Sequence, residues 1–183
     1  MGKSKIDWTD VTWNPVTGCA KVSAGCKNCY AERMWKRLSA KGQPYEGRKF
    51  TDVVMHENRL YDPLSWKRPR KVFVNSMSDL CHPDVTDEFI EQVFWTMGLA
   101  SQHIFQVLTK RPERMVKLLS DNRFQDHATD MAHECADLDW PPKNVWLGVS
   151  VENQETADER IPLLLKTPAA KRFLSCEPLL GPI

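Results

Sequence analysis

Residues 18–33 read GCAKVSAGCKNCYAER and hold three of the six cysteines in the chain. Cys19, Cys26 and Cys29 are spaced C-x6-C-x2-C, and no fourth cysteine or histidine follows nearby. Gly18 and Gly25 each stand directly before a cysteine, which gives a loop able to wrap closely around a bound group. Lys21 and Lys27 would offset thiolate charge. Just upstream, Val11–Asn14 (VTWN) reads as a short strand. Just downstream, Ala31, Met34, Trp35 and Leu38 recur at i, i+3, i+4 and i+7, so a helix is expected to begin at the last cysteine. The unit is therefore strand, cysteine loop, helix.

The same alternation continues along the chain. Val72–Asn75 (VFVN), Ile104–Leu108 (IFQVL), Val145–Val151 (VWLGVSV) and Arg172–Cys176 (RFLSC) are short runs rich in β-branched or aromatic residues. Such continuous apolar runs suit a parallel sheet covered on both faces. Between them, Phe89, Ile90, Val93, Phe94 and Met97 mark a helix with Thr86 as N-cap and Asp87 and Glu88 in its first turn. Met115, Leu118 and Leu119 mark another, with Pro112 in its first turn. A further helix is expected after Asn153, with Ala157 and Ile161 inward and Pro162 arguing against its continuing.

The expected fold class is α/β, a partial (β/α) barrel of parallel strands with outer helices joined by right-handed crossovers. Residues 1–183 read as one domain. Gly42–Trp66 is a long connection of mixed character. The polar stretch 121–143, with His127, His133 and Cys135, reads as an insertion or lid, a short extra helix or a disordered segment. The chain stops at Gly181-Pro182-Ile183 straight after a strand, so a C-terminal truncation is expected, with a final strand or helix segment missing.

A length of 183 residues suffices for a substantial core, and 42% hydrophobic with 27% charged residues is a globular balance. No run of about 18 apolar residues exists, and the start MGKSKIDWTD lacks the apolar core of a secretory signal. A cytoplasmic location without membrane association is expected. Thiols stay reduced there, so clustered cysteines suggest a metal or catalysis rather than disulfides. The net charge of +1 conceals an asymmetry: residues 1–75 carry 15 Lys and Arg against 7 Asp and Glu, and residues 76–183 carry 10 against 17. The basic half holds the cysteines and the run Lys67, Arg68, Arg70, Lys71. It could attract a phosphate-bearing or nucleic-acid partner, although a solvated surface explains any single charge equally well.

Three thiolates can occupy three corners of a cubane iron–sulfur cluster and leave the fourth iron open to a small molecule. Zinc is the alternative. Structural zinc sites take four ligands, and Cys81 or His82 could supply the missing one. Three reduced thiols in a loop are the bland reading, and Cys135 and Cys176 read as buried or incidental thiols.

A short strand, a three-cysteine loop, a helix and further βα units together resemble the radical S-adenosylmethionine (radical SAM) superfamily. More closely, WNPVTGCAKVSAGCKNCYAERM, VNSMSDL, FQVLTKRPERM, VWLGVSVEN and RFLSCEPLLGPI resemble a phage and bacterial family with a three-Cys-motif domain of unknown function. The resemblance runs through nearly the whole chain. It implies a 4Fe-4S cluster on Cys19, Cys26 and Cys29 and S-adenosylmethionine at the open iron. It further implies reductive cleavage of that cofactor to a 5′-deoxyadenosyl radical, which abstracts hydrogen from a substrate. It also implies a partner protein encoded nearby and a glycine-rich segment beyond the present C-terminus. Two departures are visible: the superfamily's usual spacing is C-x3-C-x2-C, and its Gly-Gly-Glu is absent.

Ligands of parallel α/β folds bind at the carboxyl ends of the strands. The candidates there are Asn75, Ser76, Ser78 and Asp79 after one strand, a polar stretch that the resemblance assigns to the amino group of the methionine moiety. Thr109, Lys110 and Arg111 follow the next; a cation there could meet the cofactor carboxylate or a phosphate, or merely cap the helix at Pro112. Ser150, Glu152 and Asn153 could bond ribose hydroxyls, and Glu177 is expected to point into the barrel mouth. Of the seven tryptophans, Trp8, Trp13, Trp35 and Trp66 lie in the basic half, where aromatic and basic groups together could bind nucleic-acid bases. Two alternatives to the enzyme remain: a non-catalytic zinc and nucleic-acid binding module, and a partner-dependent subunit of a phage-associated complex.

Overall fold

The apolar runs form strands and the periodic segments form helices. The computed structural model describes residues 6–133 and 139–183. Its elements are β1 (Val11–Trp13), β2 (Val16–Thr17), α1 (Tyr30–Leu38), β3 (Val54–Met55), α2 (Glu57–Leu60), β4 (Lys71–Val74) and α3 (Asp87–Leu99). They continue with β5 (Ile104–Thr109), α4 (Pro112–Leu119), α5 (Asn122–His133), β6 (Val145–Ser150), α6 (Gln154–Lys166) and β7 (Lys171–Ser175). β1, β4, β5, β6 and β7 form one parallel sheet in that order, and β2 and β3 form a separate antiparallel pair. The order follows the sequence, as successive βα units of one hand require, and the result is a partial barrel.

One face of the sheet is closed by helices. Val72, Val74, Phe105, Val107, Leu147 and Val149 pack with Ile90, Val93 and Met97 of α3, Met115 and Leu119 of α4, and Leu164 of α6. Thr86 caps α3, its hydroxyl accepting from the Phe89 amide at 3.3 Å, and such a cap is worth about 1 kcal/mol. Asn153 caps α6 in a reciprocal capping box with Thr156. α6 runs unbroken through Pro162, contrary to the sequence expectation, because its ends are held by that box and by packing of Ala157 and Leu164. The stretch 121–143 contains α5, which packs on α3 with Phe124 against Phe94. Cys135 lies outside the described residues.

The other face is concave. Trp8, just before β1, packs edge-on against Phe73 of β4 at 4.8 Å and reaches Phe173 of β7 at 6.5 Å between ring centroids. Phe173 in turn covers Gly148, where a Cβ would meet its ring at 2.6 Å. The aromatic layer closes the concave side and leaves its upper, carboxyl end open. Among the described residues no helix is long and apolar enough to cross a membrane.

Candidate metal centre

β1 delivers the chain to the carboxyl end of the sheet, where Asn14 stops it. The Asn14 side-chain oxygen accepts from the Met77 amide at 3.0 Å and the Ser76 hydroxyl at 3.2 Å, joining the ends of β1 and β4. β2 pairs with β3, and Gly18 then passes close to the Asp52 carbonyl with φ +92, a conformation and a clearance that only glycine has. The Cys19 amide bonds the Phe50 carbonyl at 2.9 Å. Cys26 sits in a 3-10 turn over Ala24–Asn28, and Cys29 occupies the N-cap of α1.

Two ion pairs with buried carboxylates fasten this loop to the sheet, and adjacent half-buried residues after β5 supply both cations. Arg111 pairs with Asp79 at 2.8 Å, approaches the Cys19 sulfur at 3.7 Å, and donates from its other terminal nitrogen to the Ala20 carbonyl at 2.9 Å. Asp79 also accepts from the Thr109 hydroxyl at 2.7 Å and from the Cys81 and Lys110 amides. Lys110 pairs with Glu152, whose side chain is 1% exposed. That carboxylate further accepts from the Ser23 hydroxyl at 2.7 Å and the Gly25 amide at 2.9 Å, and Arg160 stands 3.7 Å away. A Cβ on Gly25 would lie 2.5 Å from the carboxylate, so the glycine is what lets the loop settle on it.

The environment separates the thiols. Burial, aided by Asp79, pushes the Cys19 thiol up to about 11. Cys26 is also penalised by burial, but hydrogen bonds from the Val22 and Ser23 region bring it below its ordinary value. Burial likewise works against Glu152, yet the bonds from Lys110, Ser23 and Gly25 hold it below the usual carboxylate range.

All three cysteines line one cavity of about 460 Å³ at the carboxyl ends of the strands. Asn75, Ser76, Ser78, Asp79, Lys110, Arg111, Ser150 and Glu177 line it too. Glu152 does not; it lies beneath the loop, its carboxylate taken up by loop and cation. Ser175, Tyr30 and Trp8 join the wall without having been singled out for it. Asn75 has φ 61, and it is the one non-glycine residue with positive φ among those described. Its side-chain nitrogen and the Ser78 hydroxyl are buried with no partner among the described residues.

The candidates for a fourth ligand fall away. Cys81 is buried in the apolar core on the helix-covered side, where burial, aided by Asp79, pushes its thiol up to about 12. His82 is 5% exposed and lies outside the cavity wall, its Nδ1 accepting from the Asp84 amide. Cys176 is exposed. Among the described residues no three His, Cys, Asp or Glu side chains converge on one ion-sized point. The tryptophans are mostly structural: Trp13 and Trp35 are buried and Trp66 packs on the core.

A cubane takes three protein sulfurs on three separate irons, so its ligands surround a volume rather than a point. The donor set fits such a group: three cysteines line one cavity, with a guanidinium beside one sulfur.

The family described as protein of unknown function (DUF5131) matches residues 3–183, and the chain belongs to it. No curated protein matches the chain. Among solved structures, a mutant of spore photoproduct lyase superposes with a TM-score of 0.56 at 14% identity. The match covers 94% of this chain and 46% of that one, so the chain spans about half the length of the lyase. The likeness is one of fold, an α/β architecture shared over most of this chain.

Proposed function

We propose that this DUF5131 chain is an iron–sulfur enzyme of the radical SAM type. The observation that carries the reading is the opening of Cys19, Cys26 and Cys29 together onto the cavity at the strand ends. Bound there, a 4Fe-4S cluster would supply an open iron for S-adenosylmethionine and, fed by a low-potential one-electron donor, the electron for its reductive cleavage.

The residues of the chain have separable parts in this scheme. Cys19, Cys26 and Cys29 are the cluster ligands. Arg111 steadies the Cys19 sulfur and offsets thiolate charge from the side of the sheet. Asn75, Ser76, Ser78, Ser150 and Ser175 give the wall a polar side for a polar ligand. Glu177 places a carboxylate at the mouth, suited to a cationic amino or sulfonium group. Asp79 and Glu152 orient the cations and the loop rather than meeting a ligand directly, because their oxygens are already bonded within the protein. Trp8 and Phe73 form an apolar wall that would exclude water from a radical.

Anaerobic reconstitution tests the reading. About four irons and matching sulfide per chain are expected, together with 5′-deoxyadenosine formation on adding dithionite and S-adenosylmethionine. Cys26→Ala should abolish both. A wild type that takes up only zinc, or forms no 5′-deoxyadenosine when fully loaded with iron, would overturn it.

A further inference from the structure

Among the described residues the basic half of the chain shows two separate exposed patches. Lys67, Arg68 and Lys71 lie at the amino end of β4, at the far end of the sheet from the cavity. The other patch begins at the cavity itself. Lys27, Arg33, Lys36, Arg37 and Lys41 are all exposed, and none has an ion pair or side-chain hydrogen bond among the described residues. The two carboxylates within residues 19–50 are already engaged: Glu32 pairs with Lys21 at 2.9 Å, and Glu46 accepts from the Gly42 amide at 2.8 Å. Among the described residues no carboxylate pairs with this stripe.

Its direction is set by the helix. Tyr30, Arg33 and Arg37 stand at i, i+3 and i+7 on α1, so they share one face, about 12 Å long over the nine residues. At the head of that face Tyr30 is 55% exposed and also lines the cavity. α1 is held in place from beneath, with Trp35 stacked on Tyr45 at 4.7 Å and flanked by Phe50. The basic stripe is thus a fixed track that ends on an aromatic ring at the mouth of an aromatic-walled cavity.

The geometry points to a single-stranded nucleic acid as the partner, its phosphates lying along Arg33 and Arg37 and reaching Lys41 in the turn past α1, with one base stacking on Tyr30 at the cavity mouth. A spaced row of cations suits a phosphodiester backbone, and an exposed ring beside it suits stacking by any base. A duplex suits less well, because one of its bases must first be unpaired and unstacked, at a cost in free energy, to reach a recessed cavity. The acidic balance of residues 76–183 disfavours polyanion contact elsewhere and so orients the strand. That the strand is the substrate of this site rests on the radical SAM reading; that it binds here does not.

Fluorescence anisotropy with a labelled single-stranded 12-mer, over a salt series, tests the track. Three phosphate contacts predict a slope of log K against log salt near about −2. The double variant Arg33→Glu/Arg37→Glu should weaken binding at least about tenfold and make the slope shallower by about 1.4. Tyr30→Ala should weaken binding about tenfold with the slope unchanged. Lys67→Glu/Arg68→Glu, at the far end of the sheet, should leave binding as it is. These residues are exposed, and circular dichroism verifies that each variant keeps its fold. Unchanged binding in the α1 variant would overturn the proposal. So would equal loss in the far-end variant, equal affinity for a duplex of the same length, or full displacement by polyglutamate of equal charge. The assay reads neither iron nor cofactor cleavage. A chain that binds the strand but takes up no iron keeps the track and loses only its role as a substrate path.

Discussion

Glu152 governs how the three cysteines are presented. Its buried carboxylate gathers Lys110, Ser23 and Gly25, with Arg160 close by, and the cysteine loop rests on it. Glu152→Gln keeps the size of the side chain but leaves Lys110 and Arg160 without counter-charge. Removing one partner of a buried pair costs about 3–5 kcal/mol, and urea denaturation should show a loss of that order. The freed loop should be cut by trypsin at Lys21 and Lys27 faster than in the wild type. Unaltered cleavage would mean that the loop is held by other contacts. Gly25→Ala attacks the same seat sterically, placing a methyl 2.5 Å from the carboxylate. It should cost about 1–3 kcal/mol and lower the iron retained after reconstitution. The cysteine loop was legible in sequence because its spacing is local. The latch was not, because Ser23 and Gly25 meet a residue 129 and 127 positions away, and no periodicity links them.

At the scale of elements, the β2–β3 pair positions Gly18 and so the entry to the loop. His56 follows β3 and ties the pair to the strand end: its Nε2 lies 2.7 Å from the Thr17 hydroxyl, and its amide bonds the Pro15 carbonyl. Burial, with Arg59 and Arg48 nearby, pushes the imidazole down to about 4. The unfolded chain therefore holds the extra proton between the ordinary value of 6.5 and about 4, and the folded chain does not. Stability from this group is complete above about 6.5 and is lost as the pH falls toward 4. Urea midpoints at pH 7 and pH 4.5 should differ less in His56→Gln than in the wild type; an equal difference would remove His56 as the cause. β2 and β3 escaped sequence reading because two residues cannot display an alternation. The five sheet strands were legible to within about a residue or two at each end, since each carries a short cluster of β-branched or aromatic residues. α5 was only one of three readings of its stretch, because its apolar anchors Phe124 and Ala128 are spread through polar sequence and become decisive only against α3.

At the scale of the molecule, a sheet built in chain order brings the ends of β1, β4, β5, β6 and β7 to one rim, and the chemistry-bearing residues follow each strand. That is why candidates far apart in sequence, from Cys19 to Glu177, line a single cavity. In the proposed function, three thiolates there hold a cluster with one iron open to S-adenosylmethionine. Electron paramagnetic resonance of the anaerobically reconstituted, dithionite-reduced chain, recorded before and after adding S-adenosylmethionine, tests it most directly. The expected result is a reduced-cluster signal that shifts on addition of the cofactor and is missing from Cys26→Ala. A chain that gives no cluster signal, or one whose signal S-adenosylmethionine leaves unchanged, would contradict it.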